Sequence, residues 1–390
     1  MIVGGGVAGL WLLNELRTCG WSAILVTQGE LGGRQTGHSH GYIHRGHLYR
    51  QAVRGTKAGE AVQDLFLASL LWDEWLENNE PEYDKLPAPH EQGLFGFRSE
   101  ERGRECDALW ASYGLTSVPA DAPSVFDGSA MHCLRVADAR CLNTTWLTQT
   151  LVGDLHASII EIDHDPVFNK AGQRITSVDV QIADETITLS TRAVVLTAGS
   201  GNQALVDAIH GKPRRMAVDR SAHMLVVEGS KEILEPVSGI FELNSEDALF
   251  LVSRIDSARN AVVWLVSDSC RQTDAERWLE HVDAELAEVF PSFSPLRNKL
   301  LWGLYYAPKA ELIHADLSAG RTPTLHIDRV LDNAWCVWPI KLTLAPLAAL
   351  DIEGRVKAYL GDPPGTASPL LPGKAPRIAR ERWQQLELQP

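Results

Sequence analysis

Short apolar runs alternate with amphipathic stretches along this chain, and the spacing separates strands from helices. Ile2-Val3 leads into Gly4-Gly5-Gly6-Val7-Ala8-Gly9. Positions 10–19 then set Leu10, Leu13 and Leu16 at helical spacing, and Gly20 follows. Ala23-Ile24-Leu25-Val26 is apolar throughout. This pattern predicts a strand, a glycine turn, a helix closed by glycine and a second buried strand. A helix is predicted over 57–78, with Leu65, Leu70 and Trp72 among its apolar residues. A loop-rich region holding Trp110 and Tyr113 is predicted to follow. Ile175, Val178, Val180, Ile182, Ile187 and Leu189 alternate as in a hairpin over 174–189, ahead of a buried strand over 192–199. Val226-Val227, 249–252 and 261–266 predict an antiparallel sheet, 274–289 an amphipathic helix and 347–360 a last helix. The Pro- and Gly-rich stretch 361–376 excludes helix and central strand.

The glycines fall between strand and helix, the context that gives G-x-G-x-x-G its meaning. Gly4 permits a tight turn, Gly6 lets backbone approach a pyrophosphate, and Gly9 lets helix and strand pack closely. The helix N-terminus then offers amide protons and a positive dipole end to phosphates. The reading is a bound dinucleotide, with Val7 and Ala8 in the same turn. The acid expected at the end of the second strand is replaced by Thr27, followed by Gln28.

The 390 residues suggest two or three structural units, and 45% apolar with 22% charged residues is a globular composition. A net charge of −14 argues against generic binding to nucleic acid or anionic membrane. No run reaches the roughly 18 apolar residues of a membrane span. The first residues lack a basic, signal-like region, so a cytoplasmic protein is expected. Six scattered cysteines without C-x-x-C spacing predict reduced thiols rather than a disulfide framework or zinc site.

Two further segments narrow the dinucleotide. Arg192-Ala-Val-Val-Leu-Thr-Ala198-Gly199 is a strand ending in a glycine turn, and Trp338-Pro-Ile-Lys341-Leu342-Thr343-Leu344-Ala345-Pro346 precedes the last helix. With Gly4–Gly9 these resemble, in order, the three cofactor-contacting segments of the D-amino-acid oxidase superfamily of FAD enzymes. The resemblance implies an α/β (α+β) two-domain fold. A Rossmann-like FAD domain would be assembled from 1–80, 141–215 and 321–390. An antiparallel-sheet substrate or cap domain would come from 81–140 and 216–320. It also implies that Val167 meets the adenine, that Ala198 and Gly199 line the pyrophosphate, and that Lys341, Leu342, Thr343 and Leu344 reach the flavin. The stretch from Gln35 to Tyr49 is similar to a flavin-facing loop of L-2-hydroxyglutarate dehydrogenases and oxidases, which implies cofactor contacts from Thr36, Gly37, His38, Ser39 and His40. His40, Arg45 and His47 differ from that pattern. Thr36-Gly37-His38-Ser39-His40-Gly41 also resembles the segment through which dimethylglycine and sarcosine dehydrogenases attach flavin covalently; a non-covalent FAD is favoured, with a link through His38 as the alternative.

Four of the 13 histidines lie within 38–47. They could act on substrate or flavin, hold a metal, or satisfy loop backbone; no metal is assigned. For an alcohol substrate, His44 or His47 would suit as base with a pKa near neutrality. Lys341 would stabilise negative charge on the reduced cofactor, or else reach solvent. Arg45 and Arg50 could clamp a carboxylate bidentately. Tyr49, Trp302, Tyr305, Tyr306 and Lys309 could line a substrate pocket, or the aromatics could belong to the core. The expected activity is FAD-dependent removal of hydride from a C–H next to nitrogen or oxygen in a small amino acid, secondary amine or hydroxy acid, by a monomer or homodimer. A flavin-dependent monooxygenase or halogenase, or a non-catalytic flavoprotein subunit, are the alternatives. Gly361-Asp362-Pro363 follows the last helix rather than preceding it, which disfavours the monooxygenase.

Overall fold

In the computed structural model the described residues are 1–47, 56–79, 93–126, 131–136, 139–212, 217–220, 222–242, 248–268, 274–291, 293–312, 325–338, 341–365 and 375–389. A six-stranded sheet runs, edge to edge, Ile327–Leu331, Ala334–Val337, Val194–Leu196, Ile2–Val3, Leu25–Thr27 and Ile159–Glu161. All pairings are parallel except the one between Ile327–Leu331 and Ala334–Val337. Both faces are covered, which is why the central strands are apolar without alternation. Ile2, Leu25, Ile159 and Val195 pack under helices Val7–Thr18 and Ala345–Leu360. Val3, Val26, Ile160 and Val194 pack on the other side, against helix Asn202–His210 and the three-stranded sheet of Val167–Ala171, Arg174–Ile182 and Glu185–Ser190.

The second sheet has eight strands: Leu301–Tyr306, His223–Ser230, Ala261–Asp268, Ala248–Asp256, Gly239–Glu242, Leu94–Phe97, His132–Arg135 and Val118–Ala120. Helix Ala275–Val289 seals one face, burying Trp278, Val282 and Leu286 against Leu225, Val227 and Trp264. Its N-cap, Asp274, accepts a hydrogen bond from the Arg277 amide (3.0 Å). Met224, Val226, Val263, Leu265 and Tyr305 occupy the opposite face with Trp383 from the C-terminal segment.

The region expected to be loop-rich is not. It holds helix Glu100–Ala111, capped by Ser99, and three strands of the second sheet. These strands have three or four residues, too few to display a period, and Val118–Ala120 contains Pro119. A proline is tolerated there because this strand lies at the sheet edge. The helix buries only Gly103, Cys106 and Trp110, so its apolar stripe is faint. Beyond the Pro-rich stretch the chain returns as a strap: Leu31 and Arg377, then Ala379 and Leu31, exchange backbone hydrogen bonds (2.8 and 2.9 Å). No helix among the described residues is long and apolar enough to cross a membrane. Cys19, Cys106, Cys133, Cys141 and Cys336 are free thiols.

Candidate cofactor and active site

The glycine turn leaves no room for a side chain at Gly4 or Gly9. Gly4 has φ +122°, and a Cβ on it would lie 2.6 Å from the Ala198 nitrogen. A Cβ on Gly9 would lie 2.0 Å from the Gly4 carbonyl oxygen and 2.6 Å from Thr197 Oγ1. The Thr197 hydroxyl bonds the Val3 and Gly4 carbonyls (3.1 Å each). Two other threonines brace the turn: the Gly5 amide donates to Thr27 Oγ1 and the Val7 amide to Thr36 Oγ1, both at 3.1 Å. Thr27, at the position where the motif leads one to expect an acid, therefore spends an oxygen lone pair on the turn. Gln28 Nε2 donates to Asp165 (2.8 Å), bringing that loop beside the second strand's end.

Helix Val7–Thr18 has glycine as its N-cap, no capping side chain and no acid in its first turn, so its dipole is left for an incoming anion. Across from it, Gly199 (φ +60°) has no heavy atom within 4 Å of a built Cβ. Asn202, wholly buried, accepts from the Ala198 amide and donates to the Val337 carbonyl (2.7 Å each), locking the ends of two neighbouring strands. These features fit a dinucleotide pyrophosphate. Val167 begins an edge strand and is 60% exposed, so its side chain faces water; any adenine contact would come through its backbone.

The histidine loop reaches the Lys341–Leu344 segment. The His44 amide donates to Thr343 Oγ1 (3.3 Å), and Trp72 Nε1 donates to the Thr343 carbonyl (2.9 Å). Thr343 and Leu344 are buried, in a short 3-10 turn spanning Leu342–Leu344. Lys341 lies close enough for its charge to depress the pKa of His44. Ser39 closes the loop on itself, donating to the Thr36 carbonyl and accepting from the Gly41 amide (2.9 and 3.2 Å).

The four imidazoles diverge. His38 keeps a buried Nδ1 with no hydrogen-bond partner and packs 6.0 Å from the Tyr305 ring. His40 sits against the second sheet, with Nε2 3.4 Å from Ser267 Oγ. Burial, then the charges of Lys309 and Arg254, push its pKa down to about 3. His47 lies among aromatics of the second sheet's far end, 5.0 Å from the Trp110 ring and 6.0 Å from Phe95. Burial pushes its pKa down to about 4. His44 is held well below the ordinary histidine value by burial, then by the charges of His47 and Lys341.

Burial disfavours imidazolium at both His44 and His47, which weighs against either as the expected near-neutral base. His44 is constrained further. Its Nδ1 accepts the Gly46 amide (3.0 Å), so the ring proton sits on Nε2 and the side chain presents a donor. Arg45 is likewise not an open clamp: its guanidinium pairs with Asp73 (2.5 Å), which also holds Arg140 (3.3 Å). Tyr305 and Lys309 do adjoin the loop, through the Tyr305 hydroxyl on the His38 carbonyl (3.3 Å) and the Lys309 charge on His40. Trp302 and Tyr306 do not, because side chains alternate across a strand. Trp302 packs on Phe293 (5.4 Å) and Tyr306 on His223 (5.8 Å), on the helix-covered side. Tyr49 and Arg50 lie outside the described residues.

Residues 1–306 match the family described as DAO, FAD dependent oxidoreductase. The chain belongs to this family. It is an FAD-dependent oxidoreductase. Probable FAD-dependent oxidoreductase PA4991 of Pseudomonas aeruginosa is 26% identical, over 98% of this chain and 97% of that protein. The crystal structure of the FAD dependent oxidoreductase PA4991 superposes with a TM-score of 0.75 at 23% identity, covering 98% of this chain and 96% of that one. Glycine oxidase from Geobacillus kaustophilus (TM-score 0.64, 13% identity, 97% and 98% covered) and iminodiacetate oxidase from Chelativorans sp. BNC1 (0.65, 12%, 97% and 99%) share the fold. The mixed α/β architecture of this oxidoreductase is that of its family. The sequence reading does not place Thr197 or Asn202 at the site, and it names Trp72 only as an apolar residue of its helix. Only Asn202, a polar residue opening a helix just beyond a glycine turn, left a local signal.

Proposed function

We propose that the chain oxidises the C–N side of a small amino acid or secondary amine, with FAD held non-covalently between the Gly4–Gly9 turn and the histidine loop. FAD, when bound, supplies the acceptor for a hydride from the carbon next to nitrogen. The observation that carries the reading is the Gly46 amide bond to His44 Nδ1. Alcohol oxidation needs a group that takes the hydroxyl proton as hydride departs. His44 in its Nε2–H form is a donor, and His47 is packed among Phe95 and Trp110. An amine bound neutral needs no such base.

The loop's electrostatics point the same way. The charges of Lys309 and Lys341 bear on His40 and His44. A positive local potential favours a substrate carboxylate and disfavours an ammonium, so it selects the neutral amine of an amino acid. The same charges suit the negative charge that the reduced cofactor carries, which is the role proposed for Lys341. Glycine oxidase and iminodiacetate oxidase, named for amine substrates, share this fold.

The test is anaerobic bleaching of the visible flavin band by a panel of amino acids, secondary amines and 2-hydroxy acids. Bleaching by amines, steeper as pH rises toward the amine pKa, is expected. Bleaching by 2-hydroxy acids with no response to any amine would reject the reading and favour the hydroxy-acid alternative that the loop sequence resembles. Acid precipitation should release the flavin into the supernatant; a yellow pellet would instead mark a covalent link, with His38 as its first candidate.

A further inference from the structure

We propose that the buried ion pair of Arg254 and Glu381 is a positioning device that holds the turn at 37–41 from behind. The proposal rests on the reading above, in which this turn borders the cofactor. Arg254 lies on strand Ala248–Asp256 of the second sheet, Glu381 on the C-terminal strap, and both side chains are 1% exposed. A buried ion pair is weak evidence for stability, since desolvating two charges offsets most of their attraction. Its other contacts are more informative.

Arg254 Nη2 donates to Glu381 Oε1 (3.2 Å), the His40 carbonyl (2.8 Å) and the Leu142 carbonyl (3.0 Å). Its Nε donates to Glu381 Oε2 and its Nη1 to the Ser253 carbonyl, both at 3.3 Å. Glu381 in turn accepts from the Thr144 amide (3.0 Å), the Thr144 hydroxyl (3.3 Å) and Trp383 Nε1 (2.7 Å). Burial alone would raise the Glu381 pKa, but the Arg254 charge and these donors outweigh it and hold the carboxyl below its usual range.

The turn's carbonyls are gripped one after another from outside it. Gly37 accepts from the Arg382 amide (3.0 Å), His38 from the Tyr305 hydroxyl (3.3 Å), His40 from Arg254, and Gly41 from the Leu142 amide (2.8 Å). Gly41 has φ +70°, and a Cβ there would fall 2.0 Å from the Leu142 oxygen, so the backbone lies directly on its support. With its carbonyls fixed on one side, the turn presents a set surface on the other. Preorganisation of this kind needs a planar, permanently charged fork able to serve several acceptors, which arginine provides and lysine does not.

The experiment uses the full chain with Glu381→Gln, Arg254→Lys and the milder Trp383→Phe, which removes one hydrogen bond to Glu381 together with part of the indole's packing. Leu286→Ala, in the core on the helix-covered face, serves as a control for general destabilisation. Two readouts are hydrogen–deuterium exchange of amides 37–44 in cofactor-free protein, and FAD affinity by fluorescence titration. Glu381→Gln and Arg254→Lys should speed exchange in the turn and raise the FAD Kd by about tenfold or more (about 1.4 kcal/mol). Trp383→Phe should move both in the same direction by a smaller factor, and it carries the test if the stronger variants fail to fold. Leu286→Ala should lower the melting temperature without a selective change in the turn. Exchange at 37–44 rising no more in the clamp variants than in Leu286→Ala would overturn the proposal. In wild type, FAD should slow exchange at 37–44. If it does not, the placement of the turn beside the cofactor falls, while the clamp is judged by the cofactor-free data alone.

Discussion

Adding one methyl group at Gly9 should weaken this protein's hold on its cofactor. The built Cβ lies 2.0 Å from the Gly4 carbonyl oxygen, and real Cβ atoms essentially never approach heavy atoms closer than 3.0 Å. Helix and turn must therefore separate by at least 3.0 − 2.0 = 1.0 Å, unless the turn is rebuilt. The carbonyl cannot easily yield, because it accepts the Thr197 hydroxyl, which also holds Val3. Alanine gains about 1 kcal/mol over glycine in a helix interior, whereas overpacking costs about 1–3 kcal/mol and a lost hydrogen bond about 1. The expected balance is a loss of about 1–3 kcal/mol. Affinity should fall further, since amides displaced by about 1 Å leave hydrogen-bond range of a phosphate, and each bond to a charged group contributes about 1.5–3 kcal/mol. FAD titration of Gly9→Ala should show binding weakened at least tenfold, by about 1.4 kcal/mol or more. Gly354→Ala is the matched comparison. It lies in helix Ala345–Leu360 with nothing within 4 Å of its Cβ, and should gain up to about 1 kcal/mol with FAD affinity unchanged. Wild-type FAD affinity in Gly9→Ala would refute the close-packing account of the turn.

Stability should fall as pH drops from about 6.5 toward 4. His40 and His47 have folded pKa values pushed down to about 3 and about 4, and His44 is lowered too. Between those values and the unfolded histidine value the unfolded chain binds protons that the folded chain refuses, so each contributes up to about 1.4 kcal/mol per pH unit. Urea midpoints at pH 7 and 5 measure this, and His40→Asn should flatten the slope; an unchanged slope removes His40 from the explanation. Asn202→Leu strands the Ala198 amide and the Val337 carbonyl, and should cost about 1–3 kcal/mol for each in urea denaturation. A loss under 1 kcal/mol would mean those groups find other partners. Lys341→Met removes one of the charges that hold His44 down, so the imidazole pKa followed by NMR should rise. No movement would place the lysine's charge elsewhere.

Where chemistry is local, the chain was readable. Gly9 is demanded by the Gly4 carbonyl five residues away and Gly4 by its own φ of +122°, so the turn, its helix and its cofactor class follow from spacing. The three separate segments could be ordered only through their resemblance to a family. The site's finer geometry depends on partners remote in sequence. His44 meets Thr343 across 299 positions, Arg254 meets Glu381 across 127, and Trp110 reaches the His47 carbonyl across 63. Tyr305 and Tyr306 are neighbours in the chain, yet the strand's alternation sends one to the histidine loop and the other away from it.

What the amino-acid order determined by itself was the backbone's permissions: where a Cβ is forbidden, where a helix starts, which strands are buried on both faces. What only the tertiary structure decided was protonation and direction. It made His44 a donor, engaged Arg45 with Asp73 and set the His40 carbonyl on a buried guanidinium. The physical reason is range. Backbone sterics act within a few residues, whereas desolvation and charge act across whatever the fold brings together.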